Sequence, residues 1–200
     1  MCVICISPAG RRLPRKDEME AMFEWNPHGA GYMFAKGGKV YIHKGFMDLD
    51  TFIWSLENEG LTDDIPVVLH FRISTQAGVN PEMTHPFPLS NRKKLMKALD
   101  VACPCGVAHN GVIPLTTDKN NHEYSDTALF ISEYLSKIIR GPEDLHDGEL
   151  LDKVGRLIQS KMAILDGSGY IATIGKFYEE YGLLYSNLNH NRLLWRKYAR

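Results

Sequence analysis

The order of the predicted elements along the chain restricts the fold more than any other feature of the sequence. Strand patterns fill most of the first half, two amphipathic helix patterns follow one another at 126–140 and 150–158, and strand patterns return afterwards. A parallel α/β fold needs strands and helices in alternation, because each parallel connection must cross back over the sheet. The sequence therefore predicts an α+β protein in which helices cover antiparallel sheets.

Period-two alternation gives the clearest strand, at 66–73, where Val67, Leu69 and Phe71 point to one face and His70 and Arg72 to the other. The dipeptide Asn110-Gly111, between apolar residues 107–109 and 112–113, is typical of a tight hairpin turn. The remaining patterns predict strands at 2–6 and 182–185, hairpins at 29–43 and 162–174, and helices at 17–25 and 49–59.

Composition indicates one globular domain over residues 1–200. The chain is 44% hydrophobic and 24% charged, with a net charge of −1. That balance supplies no global field for nucleic acid or an anionic membrane, so we expect neither as a partner. The sequence has no apolar run near the ~20 residues of a membrane span, and its apolar start is too short for a signal peptide. These features predict a cytoplasmic protein.

Cys2 is the first candidate for chemistry, because it directly follows the initiator methionine. Removal of Met1 would place a free α-amine on the same residue as the thiol. An α-amine has an ordinary pKa of about 7.7–8.0, so part of it is unprotonated near neutral pH and can accept the thiol proton. The structural alternative is an apolar cysteine buried in a strand.

Three further positions carry groups that suit cleavage of an amide. The guanidinium of Arg72 can hold a carboxylate through two parallel hydrogen bonds. The Asn110 amide and the Gly111 N–H can stabilise an oxyanion, and Asp126 can hold an ammonium group. Each has a structural alternative as well: a surface or ion-paired arginine, a hairpin turn and a helix cap.

Taken together and in this order, Cys2, Arg72, Asn110-Gly111 and Asp126 resemble the glutaminase domain of class II glutamine amidotransferases, which belongs to the N-terminal-nucleophile hydrolase superfamily. The resemblance covers most of the chain and is strongest to short stand-alone members. The matching stretches are Met1-Cys2, 26–31, 70–78, 84–87, 108–111, 125–127 and 185–187.

The resemblance implies a four-layer αββα sandwich of two antiparallel sheets flanked by helices, the N-terminal-nucleophile hydrolase fold. It also implies hydrolysis of the glutamine side-chain amide through a Cys2 thioester, with ammonia released to solvent or to a synthase partner chain. No cofactor or metal is implied. By motif match, Cys2 is the nucleophile, and Asn110 and Gly111 form the oxyanion hole. Arg72 and Thr75 bind the substrate carboxylate, and Gly111 and Asp126 bind its amino group. His85 also takes part in substrate binding.

Three alternatives stay open at this point. Some short relatives cleave γ-glutamyl amides of small metabolites, so the substrate could be such an amide instead of glutamine. Four thiolates could bind structural zinc, although the spacings of Cys2, Cys5, Cys103 and Cys105 disfavour it. A non-catalytic module could instead use the basic segments 11–16 and 191–200 to contact an acidic partner or nucleic acid.

Overall fold

A computed structural model describes residues 2–74, 79–116 and 123–188. It shows an α+β protein with two antiparallel sheets. The strands are β1 (Val3–Ser7), β2 (Ala30–Lys36), β3 (Lys39–Phe46), β4 (Val67–Phe71), β5 (Phe87–Pro88), β6 (Asp100–Cys103), β7 (Cys105–Asn110), β8 (Lys161–Asp166), β9 (Ile171–Ile174), β10 (Tyr178–Glu180) and β11 (Leu183–Tyr185).

Four longer helical segments accompany the strands. They are α1 (Lys16–Trp25), α2 (Leu49–Asn58), α3 (Asp126–Phe130, continued by a π-helical turn at Ile131–Leu135 and a last turn at Ser136–Ile138) and α4 (Gly148–Ile158). Short 3₁₀ turns lie at Pro81–Met83, Lys93–Lys97, Pro114–Thr116 and Pro142–His146. Among the helices of the described residues, none has the length and apolar character needed to cross a membrane.

The large sheet has the strand order β10-β11-β1-β4-β2-β3-β6, and the small sheet has the order β5-β7-β8-β9. All pairings between neighbouring strands are antiparallel. Pro104 alone separates β6 from β7, so the chain passes from one sheet to the other within a single residue.

Three hydrophobic clusters hold the layers together. The alternation of side chains along β1 shows which cluster lies on each face of the large sheet. Val3 and Cys5 point into a cluster shared with α1 and α2. Ile4 and Ile6 point the other way, into a cluster between the sheets that includes Leu165 of β8. A third cluster joins the outer face of the small sheet to α3 and α4. The helices therefore cover the outer faces of two sheets that pack against each other.

The hairpin predicted around Asn110-Gly111 is wrong. Residues 112 and 113 form no strand, and β7 pairs with β5 and β8 instead. Gly111 adopts a φ of +152°, and a Cβ at this position would lie 2.4 Å from the Ser160 Cβ. The glycine is thus required by close approach to Ser160, and the Asn-Gly dipeptide ends a central strand rather than reversing it.

Several strand ends meet at one end of the two sheets. Cys2 precedes β1, Arg72 follows β4, and Asn110 closes β7. The register pairs Val3 with Phe71 in the large sheet and Asn110 with Lys161 in the small one. Asn110 and the Ile4 N–H both contact the Ser186 hydroxyl, so these termini lie at the same end. The fold therefore brings residues that are distant in sequence together at one edge. This edge is the candidate site.

Candidate active site

Cys2 is held at this end by the backbone of the neighbouring strand. Its Sγ accepts a hydrogen bond from the Ile73 N–H at 3.3 Å and lies 3.5 Å from the Ile73 carbonyl oxygen. The side-chain amide of Asn187 donates to the Cys2 carbonyl at 2.6 Å. The residue is only partly buried. The sulfur is therefore fixed in direction but is not sealed inside the core.

The surroundings of Cys2 have opposing effects on its acidity. Burial raises the pKa of the thiol, whereas the Ile73 N–H and the positive charge of Arg72 lower it, and burial is the larger effect. The net direction is upward. The thiol is consequently neutral at rest near pH 7, and a reaction at this sulfur needs a base to accept its proton.

Arg72 lies at the same edge, with 5% of the residue exposed. Its backbone N–H donates to the Gly29 carbonyl at 2.8 Å, and its carbonyl accepts from the His28 N–H at 2.9 Å. Its Nη2 lies 3.3 Å from the Ser74 hydroxyl. Burial lowers the pKa of Arg72, opposed by the neighbouring Cys2 and Asp126. Arg72 thus shares one electrostatic environment with both residues and remains charged at neutral pH.

The segment 26–31 explains how Arg72 is positioned. The His28 imidazole accepts the Ser74 N–H at 2.9 Å, so this segment holds the chain on both sides of Ile73. A Cβ at Gly31 would lie 2.3 Å from the His85 carbonyl oxygen. Only glycine permits this approach. The segment 26–31 therefore supports the strand end that carries Arg72.

Asn110 is buried and connected to the start of β1 through a serine. Its amide nitrogen donates to the Ser186 hydroxyl at 2.9 Å, and the same hydroxyl accepts the Ile4 N–H at 2.8 Å. Among the described residues, the Asn110 Oδ1 has no hydrogen-bond partner. Turning the amide by half a rotation lets Ser186 donate to that oxygen and directs the NH₂ group to the unpartnered position. In this orientation the NH₂ group of Asn110 can donate a hydrogen bond to an oxyanion.

Asp126 begins α3, while the adjacent Ser125 caps the helix by accepting the Ala128 N–H. Its carboxylate accepts the Ile113 N–H at 2.6 Å and the Thr127 N–H at 2.8 Å. Burial raises the pKa of Asp126, and these N–H groups and the charge of Arg72 oppose the rise. The net direction is upward. The helix-cap interpretation therefore applies to Ser125, and the Asp126 carboxyl group interacts electrostatically with Arg72.

His85 lies in a buried stack of imidazoles beneath the site. Its ring centre lies 4.3 Å from that of His70 and 4.7 Å from that of Phe87, and the residue is 6% exposed. Neither of its ring nitrogens has a hydrogen-bond partner among the described residues. Its role in substrate binding stays a prediction, and the contacts that it makes here are packing contacts.

Sequence reasoning assigned no function to His109, although it connects the parts of the site. Its Nδ1 pairs with the Thr127 hydroxyl at 2.8 Å and its Nε2 with the Ser160 hydroxyl at 2.6 Å. Its carbonyl oxygen lies 3.0 Å from the His70 Nε2. Burial lowers the pKa of His70 and of His109 to about 3, so both imidazoles are neutral. They are hydrogen-bonding supports rather than charged groups.

Ser186 and Asn187 are the functional candidates that the sequence analysis missed as individual residues. They follow β11, which pairs with β1 although the two strands lie near opposite ends of the described sequence. The only sequence signal was the general likeness of 185–187 to short glutaminase domains. Their contacts show that the end of the described chain positions Cys2 and Asn110.

Some predicted features lie outside the described residues. These are Met1, Thr75 and the basic tail at 191–200. In the described basic loop, Arg12 pairs with Glu18 at 2.7 Å and Arg15 with Asp17 at 3.1 Å. These two arginines therefore have ion-pair partners in α1, which weakens the case for this loop as a contact surface.

Among the described residues, no group of three or more His, Cys, Asp or Glu side chains could hold a metal ion. All four cysteines are free thiols. Cys5 points into the core beneath α1 and α2, whereas Cys2 contacts Ile73. The zinc alternative therefore has no support in this arrangement.

Comparison with profiles of known protein families gives no match, and a search of curated proteins gives no significant match.

Proposed function

We propose that this protein is an N-terminal cysteine amidohydrolase of the class II glutaminase type, with the N-terminal-nucleophile hydrolase fold. The supporting observation is the convergence of Cys2, Arg72, Asn110 and Asp126 at one end of the sheets. Their sequence positions are far apart, and each brings a chemical group that cleavage of a γ-glutamyl amide requires. Helices outside two antiparallel sheets are also compatible with the αββα sandwich of that superfamily.

The proposed reaction begins after removal of Met1. The α-amine of Cys2 accepts the thiol proton, and the sulfur attacks the γ-carbonyl carbon of the substrate. The electron pair of the carbonyl moves to oxygen, where the Asn110 amide and the Gly111 N–H stabilise it. Collapse breaks the C–N bond, and the amine leaves with the proton held by the α-ammonium. Water then cleaves the thioester and gives glutamate.

Substrate recognition is proposed to use charge at the other end of the glutamyl group. Arg72 binds the α-carboxylate, and Asp126 the α-ammonium. The backbone of Arg72 is held by hydrogen bonds and its Nη2 lies 3.3 Å from the Ser74 hydroxyl, so the guanidinium is pre-positioned. A pre-positioned pair of opposite charges would bind the zwitterionic α-carbon end and leave the side-chain amide for Cys2.

The decisive experiment measures ammonia and glutamate released from glutamine by the purified protein, with intact mass determined alongside. We expect the active form to lack Met1, and Cys2→Ala to reduce kcat by at least ~10³-fold because the nucleophile is lost. Cys103→Ala is the matched control, since Cys103 is another partly exposed free thiol. Full activity in Cys2→Ala, or in protein that keeps Met1, excludes the mechanism.

A further inference from the structure

The order of strands places Cys2 between two different surroundings. In the large sheet, β4 with Arg72 lies on one side of β1, and β11 and then β10 lie on the other. In the small sheet, β8 follows β7, and Lys161 at the start of β8 donates to the Ser186 carbonyl just after β11, so this part of the small sheet lies on the β11 side. An amide held by its acyl part at Arg72 can extend its amine part away from Arg72, toward β8, β9 and β10. This second side is where a leaving group would lie.

A cleft of about 600 Å³ occupies that side, between the end of α4 and the ends of β8 and β9. Its charged lining consists of Arg156, Lys161, Lys176 and one carboxylate, Asp152. Within the described ranges, no carboxylate lies within 4.0 Å of any of the three basic side chains. The cleft therefore carries a net positive charge that is not neutralised by close ion pairs.

Two of these cations are arranged around one aromatic ring. The Lys161 and Lys176 ammonium groups lie 5.1 and 4.9 Å from the centre of the Tyr178 ring. The π face stabilises each cation, but the two like charges still repel one another. An anion bound close to both ammonium groups would relieve this repulsion. Arg156, from α4, adds a planar guanidinium suited to a carboxylate.

Lys161 also connects the cleft to the nucleophile. Its ammonium group donates to the Ser186 carbonyl, and the next residue, Asn187, donates to the Cys2 carbonyl. Strands are about 4.8 Å apart, so β9 lies roughly 10 Å from β7, a span of about three extended residues. A short peptide attached to the γ-glutamyl group has the length to cover the distance from Asn110, at the end of β7, to the cleft.

We propose that this cleft binds the leaving amine of the substrate and holds a carboxylate on it, so that the substrate class is γ-glutamyl peptides and similar amides of anionic amines. The inference rests on the proposed function and specifies its substrate. Ammonia from free glutamine is too small to use a cleft of this size and charge. Lys161 and Lys176, with Arg156, bind the anionic end, and bond breaking follows the steps given for the γ-glutamyl amide.

The test compares two substrates that differ only in one charge: γ-glutamylglycylglycine and the same peptide with a C-terminal amide. We expect kcat/KM for the acid to exceed that for the amide by ~10- to 100-fold, the range of charge-assisted hydrogen bonds. In the Arg156→Met/Lys176→Met double variant the ratio should fall at least ~3-fold, because Lys161 alone then remains at the anionic end, with glutamine hydrolysis unchanged. Lys153→Met is the matched control, because this exposed lysine of α4 does not line the cleft.

A ratio near one in the wild-type protein overturns the cleft proposal, as does an unchanged ratio in the double variant. If glutamine is still cleaved in either case, the proposed function itself stands. If neither glutamine nor the peptides are cleaved, the proposed function fails. Titration of the full chain with glycylglycine then tests separately whether the cleft binds an anionic amine. Saturable binding lost in the double variant but kept in Lys153→Met supports the cleft, and absence of binding overturns it.

Discussion

The two sides of Cys2 are built in opposite ways. On one side, Arg72 is 5% exposed and its backbone is fixed by hydrogen bonds to the segment 26–31. On the other side, Arg156 and Lys176 are exposed, and their charges sit at the ends of flexible side chains. Both sides are cationic, yet only the first is held by packing and backbone contacts.

The difference indicates how selectivity would be divided. A guanidinium fixed by the fold can require one geometry of the bound carboxylate, because little conformational entropy is lost on binding. The flexible side chains of the exposed Arg156 and Lys176 attract negative charge but tolerate different shapes. The protein is thus expected to be strict about the γ-glutamyl group and permissive about the amine attached to it.

The largest effect is expected at the point where the two sides meet. Asn110→Ala should lower kcat ~10²–10³-fold with little change in KM, because the amide would act on the oxyanion and not on the bound ground state. Steady-state kinetics with glutamine measures both parameters. Gln159→Ala, which removes an amide from the cleft lining, is the control and should leave both unchanged. A raised KM with unchanged kcat would place Asn110 in substrate binding instead.

A charge-conserving pair of variants tests the contrast itself. Arg72→Lys keeps the positive charge but removes the planar fork, so KM for glutamine should rise ~10- to 100-fold. Lys176→Arg on the exposed side should change kcat/KM for γ-glutamylglycylglycine less than about threefold. Kinetics with the two substrates gives both results. Equal tolerance on the two sides would remove the distinction between a fixed and an adaptable cation.

Much of the fold followed from local patterns. The alternation at 66–73 matches β4 (Val67–Phe71), and the amphipathic pattern at 150–158 matches α4 (Gly148–Ile158). The prediction at Asn110-Gly111 was wrong because the same dipeptide suits a turn and a strand end. Pairing of β7 with β8, about fifty residues later, decides between them. Strand β6 (Asp100–Cys103) was missed because this edge strand has only four residues, of which two are exposed and none is fully buried.

The site could be predicted only in part, for a related reason. Arg72 and Asp126 carry recognisable groups, so their residue types suggested roles before the structure did. Ser186 carries only a hydroxyl, and its importance depends on β11 lying beside β1, 182 residues away from Ile4. The cleft could not be predicted from the sequence either. Arg156 in α4 and Lys176 after β9 come together only in the folded protein.

Acid is expected to weaken the fold itself, and it should act on the fixed side. His70 and His109 have pKa values near 3 in the folded protein because burial disfavours their charged forms, whereas an unfolded imidazole has a pKa of about 6.5. The unfolded state therefore binds protons more readily over this interval, and stability falls as the pH drops below about 6.5. Each histidine should cost roughly 2 kcal/mol between pH 7 and pH 5.

Urea unfolding at pH 7 and pH 5 measures this loss in the wild-type protein and in His109→Gln, whose amide can still pair with the Thr127 and Ser160 hydroxyls. The variant should lose roughly 2 kcal/mol less than wild type over this interval, because its amide does not titrate. His146→Gln, at an exposed position, should lose as much as wild type. An identical loss in all three proteins would mean that acid acts elsewhere, and that the buried imidazoles do not make the fixed side the acid-sensitive one.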